Sequence, residues 1–287
     1  MAPSSRLARL RVARITLVVP GRTPREWRPF AVTRGATIRL RSGGLPPSPS
    51  GKLLFDSGGL WKVFAQGRAF LYMLQEPGEG TRPYGAMQID RAFRKGILFP
   101  DPRAPGGLPF PLDELVFQHH LARHHGLEIH ASGVILKGRA VLFSGDSGAG
   151  KTTLARLYAS SGRRSRILSD DRVALRRSRW GFDAFGTPWH GSGRFASPLG
   201  RPLGALFFIT QAGENRARRL GVVEATETLI RRVFIPRWDA PIVRTALQTC
   251  ETLARRVPCF ELGFRPGRSV LRTVDEAMAQ LRSGSGG

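Results

Sequence analysis

The sequence predicts an α/β protein in which a small β-rich domain precedes a phosphate-loop domain. Three observations carry that prediction. Short apolar runs broken by Gly/Pro clusters fill residues 15–97. A proline-rich stretch, "LFPDPRAPGGLPFP", follows at Leu98–Pro111. Beyond it, "GDSGAGKTT" at Gly145–Thr153 fits G-x-x-x-x-G-K-[ST], with an apolar run before it and an amphipathic segment after it.

In order, the basic opening "MAPSSRLARLRVARITLVVPG" contains an apolar run, Ile15–Val19, too short for a signal-peptide core. It reads as a tail leading into a first strand. The runs "ITLVV", "ATIRLRS", "KLLFDS", "LWKVFAQG", "AFLYMLQ" and "YGAMQIDRAF" then alternate with turn clusters such as "SGGLPPSPSG" and "EPGEGTRP". They predict an antiparallel β-rich domain over residues 1–110, with the proline-rich linker at its end. No polar cluster there points to chemistry.

The second domain is expected over residues 111–281. It opens with a helix, "LDELVFQHHLARHHG", whose Leu112, Leu115, Val116 and Leu121 share one face and which Gly126 stops. His119, His120, His124 and His125 are expected on its solvated side. His120 and His124 stand one helical turn apart, as metal ligands can, but no carboxylate or cysteine nearby completes a site. A hairpin about Lys137-Gly138 feeds the glycine-rich loop. The helix "TTLARLYASSG", the strand "RILSDD" and two further strands through "VALRR" and "WGFDAFG" follow. The tail at 282–287 is expected to be disordered.

The composition excludes several classes. No stretch approaches the roughly 18 consecutive apolar residues of a membrane helix, so no membrane insertion is expected, and the protein reads as cytoplasmic. Cys250 and Cys259 are too few for a disulfide framework or metal cluster. The net charge of +24 invites a nucleic-acid partner. However, lysine occurs only at 52, 62, 95, 137 and 151, leaving Arg to supply 40 of the 45 basic residues. That bias reads as the codon usage of a GC-rich genome. The basic residues are also dispersed along the chain, with no stripe interleaved with aromatics, so no specific nucleic-acid partner is expected.

The loop carries the chemistry. Gly145, Gly148 and Gly150 allow the backbone through Asp146, Ser147, Ala149 and Thr153 to fold into a nest of inward N–H groups. The helix starting at Lys151 adds its partial positive end. Lys151 would place an ammonium on β- and γ-phosphates, and the Thr152 hydroxyl can ligate Mg²⁺. "LSDD" then sets Asp170 and Asp171, 19 and 20 positions after Lys151, at the end of the next strand. Carboxylates there suit a metal and a proton acceptor. The ABC signature "LSGGQ" is absent, which argues against a mechanical ATPase. His130 in "IHASG" lies on the strand paired with the one entering the loop. "FGTPWHG", Phe185–Gly191, is either a rigid corner packed on Trp189 or a ligand-facing loop containing His190.

At these residues the chain resembles the catalytic domain of HPr kinase/phosphorylase, a bacterial serine protein kinase with a fold like that of phosphoenolpyruvate carboxykinase. The resemblance rests on "IHASGVILKGRAVLFSGDSGAGKTTLARLYASSGRRSRILSDDRVALRR", Ile129–Arg177. That stretch contains a histidine-bearing strand, a "GDSG-x-GK" loop and paired aspartates in the family's order. HPr kinase-like proteins with a "GTPWHG" turn and a "PLDEL" helix start are closer still. The resemblance implies ATP and Mg²⁺ as cofactors and the hydroxyl of a protein or peptide, of unknown identity, as acceptor. It implies that Lys151 and the loop amides bind phosphates, and that Thr152 and Asp170 hold the metal. Asp171 would take the serine proton, with His130 beside the transferring phosphate; the two aspartates' roles are interchangeable at this stage. One departure stands out: no glutamate matches the family's "E-I-R-G" segment, where this chain reads "GFDAFGTPWHG". HPr itself, the reverse dephosphorylation and the hexamer are therefore not carried over, although a homo-oligomer is. A small-molecule kinase of the shikimate-kinase type and a non-catalytic nucleotide-binding partner protein remain open as alternatives.

Overall fold

The computed structural model describes residues 6–75, 83–100, 108–163 and 166–283. It is a mixed α/β protein with two sheets. The chain divides into two compact units. Met1–His120 with Pro236–Ile242 form the first, and Leu121–Ile235 with Val243–Gly287 form the second. The centre of the expected linker, 101–107, and most of "EPGEGTRP" lie outside the described residues, as does the end of the tail from 284.

In the first unit the basic opening is itself a strand. β1 (Leu7–Val12) pairs antiparallel with β2 (Ile15–Pro20) about Ala13 and Arg14, both at positive φ. Ala8, Leu10 and Val12 turn inward with period two, which makes a strand of what reads as a charged tail. The sheet continues through β3 (Ile38–Ser42), β4 (Lys52–Asp56), β5 (Trp61–Gln66), β6 (Ala69–Leu74), β7 (Gly85–Asp90) and β8 (Lys95–Phe99), in the order β1-β2-β3-β8-β7-β6-β5-β4. It is mixed rather than antiparallel, because β2–β3 and β3–β8 run parallel. A parallel pair needs a long crossover. The β2–β3 connection provides one, with Trp27 and Phe30 buried along it.

Helix α1 (Leu112–Arg123) buries Leu112, Leu115, Val116 and Leu121 as its periodicity requires. The expected solvated side is absent until Arg123: Asp113, Glu114, Gln118, His119 and His120 are buried too. The His119 ring stacks on Phe93 at 3.7 Å between centroids, and its Nε2 lies 3.0 Å from Asp239 Oδ2. This histidine is a core residue held by a ring stack and a carboxylate. Among the described residues no group of three His, Cys, Asp or Glu could hold a metal ion, and no helix is long and apolar enough to cross a membrane.

The second unit follows α1 with β9 (Gly126–Leu136), β10 (Arg139–Ser144), α2 (Lys151–Tyr158), β11 (Ile167–Ser169), β12 (Arg172–Ser178), β13 (Gly181–Gly186) and β14 (Gly200–Gln211). Then come β15 (Arg216–Arg219), α3 (Val222–Ile230), β16 (Val233–Phe234), α4 (Ala240–Arg256), β17 (Cys259–Phe264) and α5 (Ser269–Ser283). Helix α5 thus runs into the residues expected as tail. The two long strands change partners along their length. β9 pairs with β12 through Gly126–His130 and with β10 through Ala131–Leu136. β14 pairs with β13 at its start, then lies parallel to both β10 and β17.

At the centre, Tyr158, Phe143, Phe207 and Phe260 stack in that order, with Leu154, Ala155 and Val274 packed around them. Burying each large side chain contributes about 1.5–3 kcal/mol. Such a core fixes α2 against the parallel strands. The free thiols of Cys250 and Cys259 are buried as well, and burial pushes both up to about 12.

Candidate nucleotide site

The parallel strands β10, β14 and β17 point the same way, with β14 and β17 running on past Ser144 to Gln211 and Phe264, and the glycine-rich loop leaves β10 at that carboxyl edge, where ligands of open α/β sheets bind. Gly148 has φ 81° and Gly150 φ 111°, backbone conformations that only glycine adopts without strain. Gly150 is doubly required, because a Cβ there would stand 2.3 Å from the Phe264 ring. Gln211 Nε2 donates to the Gly148 carbonyl at 3.0 Å, tying the loop to the end of β14.

Lys151 begins α2 and is buried. Its Nζ donates to the carbonyls of Gly145 and Asp146, each at 2.9 Å, so the ammonium is folded into the loop. Burial is the main cause holding its pKa below the ordinary lysine value; Asp171 and Asp146 act in the opposite sense. The side chain of Asp146 points out of the loop and takes a bidentate ion pair from Arg232. That pair is the first cause of a lowered Asp146 pKa. Arg232 is held in turn by its own carbonyl, which accepts the His130 N–H at 2.9 Å, and by β16, which pairs with β9 just beyond it.

The two aspartates have different surroundings. Asp170 is buried, and its carboxylate accepts three backbone N–H groups: Gly191 at 3.0 Å, Gly193 at 2.7 Å and Phe195 at 3.2 Å. It is the anchor of the segment that follows "GTPWHG". The metal-holding role expected of it is left with one of the carboxylate's four lone-pair positions, on Oδ2. That oxygen does face the loop helix. A Cβ at Gly193 would lie 2.6 Å from Asp170 Oδ2 and 3.0 Å from Thr152 Cγ2, so one glycine separates the two.

Asp171 is half-exposed and paired on both oxygens. Its Oδ1 lies 2.8 Å from His130 Nε2, and its Oδ2 accepts from Arg172 at 2.6 Å. Burial works to raise its pKa, but the His130 hydrogen bond and the charges of Arg172, His130 and Lys151 outweigh it and hold the carboxyl below its usual range. The Arg172 guanidinium sits 4.3 Å from the Phe234 ring centroid. In the "GTPWHG" turn, Thr187 is buried and donates to the Arg172 carbonyl at 2.8 Å, and Trp189 is buried. This is the rigid corner of the two readings. His190 contacts its neighbour's carbonyl, Gly191 O, at 3.1 Å.

The structure therefore gathers Lys151, Thr152, Asp170, Asp171 and His130 at one end of the sheet. The sequence reading missed Arg172, Arg232, Gln211 and Phe264. Only Arg172, adjacent to the aspartates, carried a local signal; the other three reach the loop from residues 211, 232 and 264, through sheet pairing.

No family model and no curated protein matches the chain. Among solved structures, the HPr(Ser) kinase/phosphatase from Coxiella burnetii is similar, with 10% sequence identity and a TM-score of 0.34. The match covers 54% of this chain and 98% of that one. A likeness of that size leaves the chemistry to be argued from the side chains.

Proposed function

We propose that the chain is an ATP- and Mg²⁺-dependent kinase that phosphorylates a hydroxyl, serine for preference, of a protein or peptide. The observation that carries this reading is the meeting of two sets of groups: the Asp170–Asp171 pair stands against the lysine and threonine of a glycine-rich loop. The loop fits a triphosphate because its left-handed glycines, its buried ammonium and the start of α2 all present positive ends to one place. It fits Mg²⁺ as well, since in phosphate sites that ion takes only one or two protein oxygens. Thr152 would hold it, with the remaining lone pair of Asp170. When bound, MgATP supplies the activated phosphoryl group and the metal's neutralising charge.

Everything else falls to the chain's own residues. Lys151 supplies a fixed cation beside the phosphates. Asp171 accepts the proton of the incoming hydroxyl as its oxygen bonds to phosphorus and the bond to the departing diphosphate breaks. A carboxylate held below its usual range is ionised throughout neutral pH and hence ready to accept. His130, 2.8 Å away, orients it. Arg172 stacked on Phe234 keeps the second oxygen in place.

Asp171→Asn tests this assignment. The variant keeps the shape of the site, so nucleotide titration should give the wild-type MgATP affinity. Transfer of labelled phosphate to hydroxyl-bearing peptides should fall by about 10² to 10⁴. Wild-type transfer by the folded variant would remove Asp171 from the reaction.

A further inference from the structure

The first unit carries a second charged feature that the phosphate chemistry does not use. Arg9 and Arg11 on β1, Arg39 and Arg41 on β3, and Lys95 on β8 come from three separate stretches of sequence, yet the sheet brings them onto one face. The register fixes this: Arg9 pairs with Val18, Val18 with Arg39, and Arg39 with Lys95. On β2 this line passes through Val18, which is fully buried, so half-buried Arg9 stands apart from Arg39 and Lys95, which lie side by side on adjacent strands about 4.8 Å apart. Arg11 stands two residues along the same face from Arg9, and Arg41 two from Arg39. Arg11, Arg39, Arg41 and Lys95 are exposed.

Like charges placed directly opposite each other destabilise a sheet, and Arg39 and Lys95 are so placed. Among the described residues no acid offsets them. Among the described residues none of the five makes an ion pair: Arg11 donates to Thr16 Oγ1 and the Arg34 carbonyl. Asp90, near Lys95, turns its carboxylate to the backbone N–H groups of Arg94 and Lys95. Beside these cations the character changes. Two residues from Arg9 is Leu7, 43% exposed, and two from Lys95 is Ile97, 38% exposed.

We propose that this face of the first unit is a docking surface for an acidic peptide segment in which carboxylates alternate with apolar side chains. The cations meet the carboxylates, and Leu7 and Ile97 meet the apolar positions. Complementary charge of this kind steers and orients a partner. A single-stranded nucleic acid fits less well. It would need aromatic rings for its bases to stack on, and these cations have aliphatic neighbours instead.

The test uses the full chain and a short fluorescent peptide alternating glutamate with leucine, followed by anisotropy at physiological salt. Arg39→Glu/Arg41→Glu should weaken binding by about tenfold or more, and the milder Arg39→Gln/Arg41→Gln should weaken it in the same direction. Arg244→Glu/Arg256→Glu, which makes the same charge change at exposed positions of α4, should bind like wild type. MgATP affinity should be unchanged in all three, so this result stands or falls independently of the kinase reading. Three results would overturn the proposal: no peptide binding by the wild type, equal loss in the α4 control, or an oligothymidylate that binds the same face more tightly than the peptide.

Discussion

Asp170 and Asp171 are adjacent in the chain and do opposite things. Asp171 presents a carboxylate to an imidazole and a guanidinium in a half-open site, whereas Asp170 turns inward and organises a loop. The difference leads to a prediction contrary to the sequence-based one. If Asp170 were chiefly a metal ligand, Asp170→Asn would recover activity with added Mg²⁺. As an anchor it will not, because the amide's N–H₂ meets buried N–H donors. Leaving one or two of them unsatisfied costs roughly 2–5 kcal/mol. A thermal melt should therefore show a clear loss of stability, and activity should stay low at any Mg²⁺ concentration; an unchanged melt with Mg²⁺-dependent rescue would make metal binding, not anchoring, the chief role of Asp170. Lys151 gives a simpler case. Its ammonium makes two charge-assisted bonds within the loop, and against phosphates such bonds are each worth roughly 1.5–3 kcal/mol. Lys151→Ala should bind MgATP about tenfold to a hundredfold more weakly in a direct titration. Unchanged affinity in a folded variant would remove the loop from nucleotide binding.

Between β10 and α2, shape is set by what lies behind the loop as much as by its own glycines. Gly150 faces the Phe264 ring at the end of β17, inside the cluster that also seats α5. Gly150→Ala combines a left-handed residue, costing about 1–3 kcal/mol, with a methyl driven into that ring. The variant should melt earlier and bind nucleotide poorly. Adding Phe264→Leu should recover only part of the stability, because it relieves the collision and not the backbone; full recovery would mean that sterics alone mattered. The sequence could predict the glycines, since G-x-x-x-x-G-K-T names them, but not the ring, which arrives from residue 264. The same limit explains β1 and α1. Period-two burial in "LARLRV" was hidden by its arginines. The polar side of α1 reads as solvated, although His119 lies stacked on Phe93. Parallel pairing of β2, β3 and β8 was illegible because register and direction depend on long crossovers, not on alternation. His130 was legible as a neighbour of the loop strand, whereas its contact with Asp171 depends on how β9 passes from β12 to β10.

For the molecule as a whole, 45 basic residues against 21 acidic ones set a field that no single site explains. Composition alone argues that the charge is diffuse. The fold modifies that view, since it concentrates five of the cations on one sheet face while Arg232, Arg172 and Lys151 are occupied with acids or carbonyls in the second unit. Diffuse charge makes a definite prediction about polyanions. Duplex DNA of any sequence should associate weakly, and log affinity should fall linearly with log salt, with a slope of about −0.9 per phosphate neutralised. Arg39→Glu/Arg41→Glu should make that slope shallower by no more than those two contacts account for, because the remaining cations still act. Filter binding or anisotropy with two unrelated duplexes across a salt series would measure both quantities. Equal affinities that collapse toward physiological salt are expected of a protein whose charge steers partners without reading bases. A tight complex with one duplex that survives physiological salt would mean that the fold presents base-reading side chains, and the acidic-peptide assignment of the cationic face would have to yield to a nucleic-acid one.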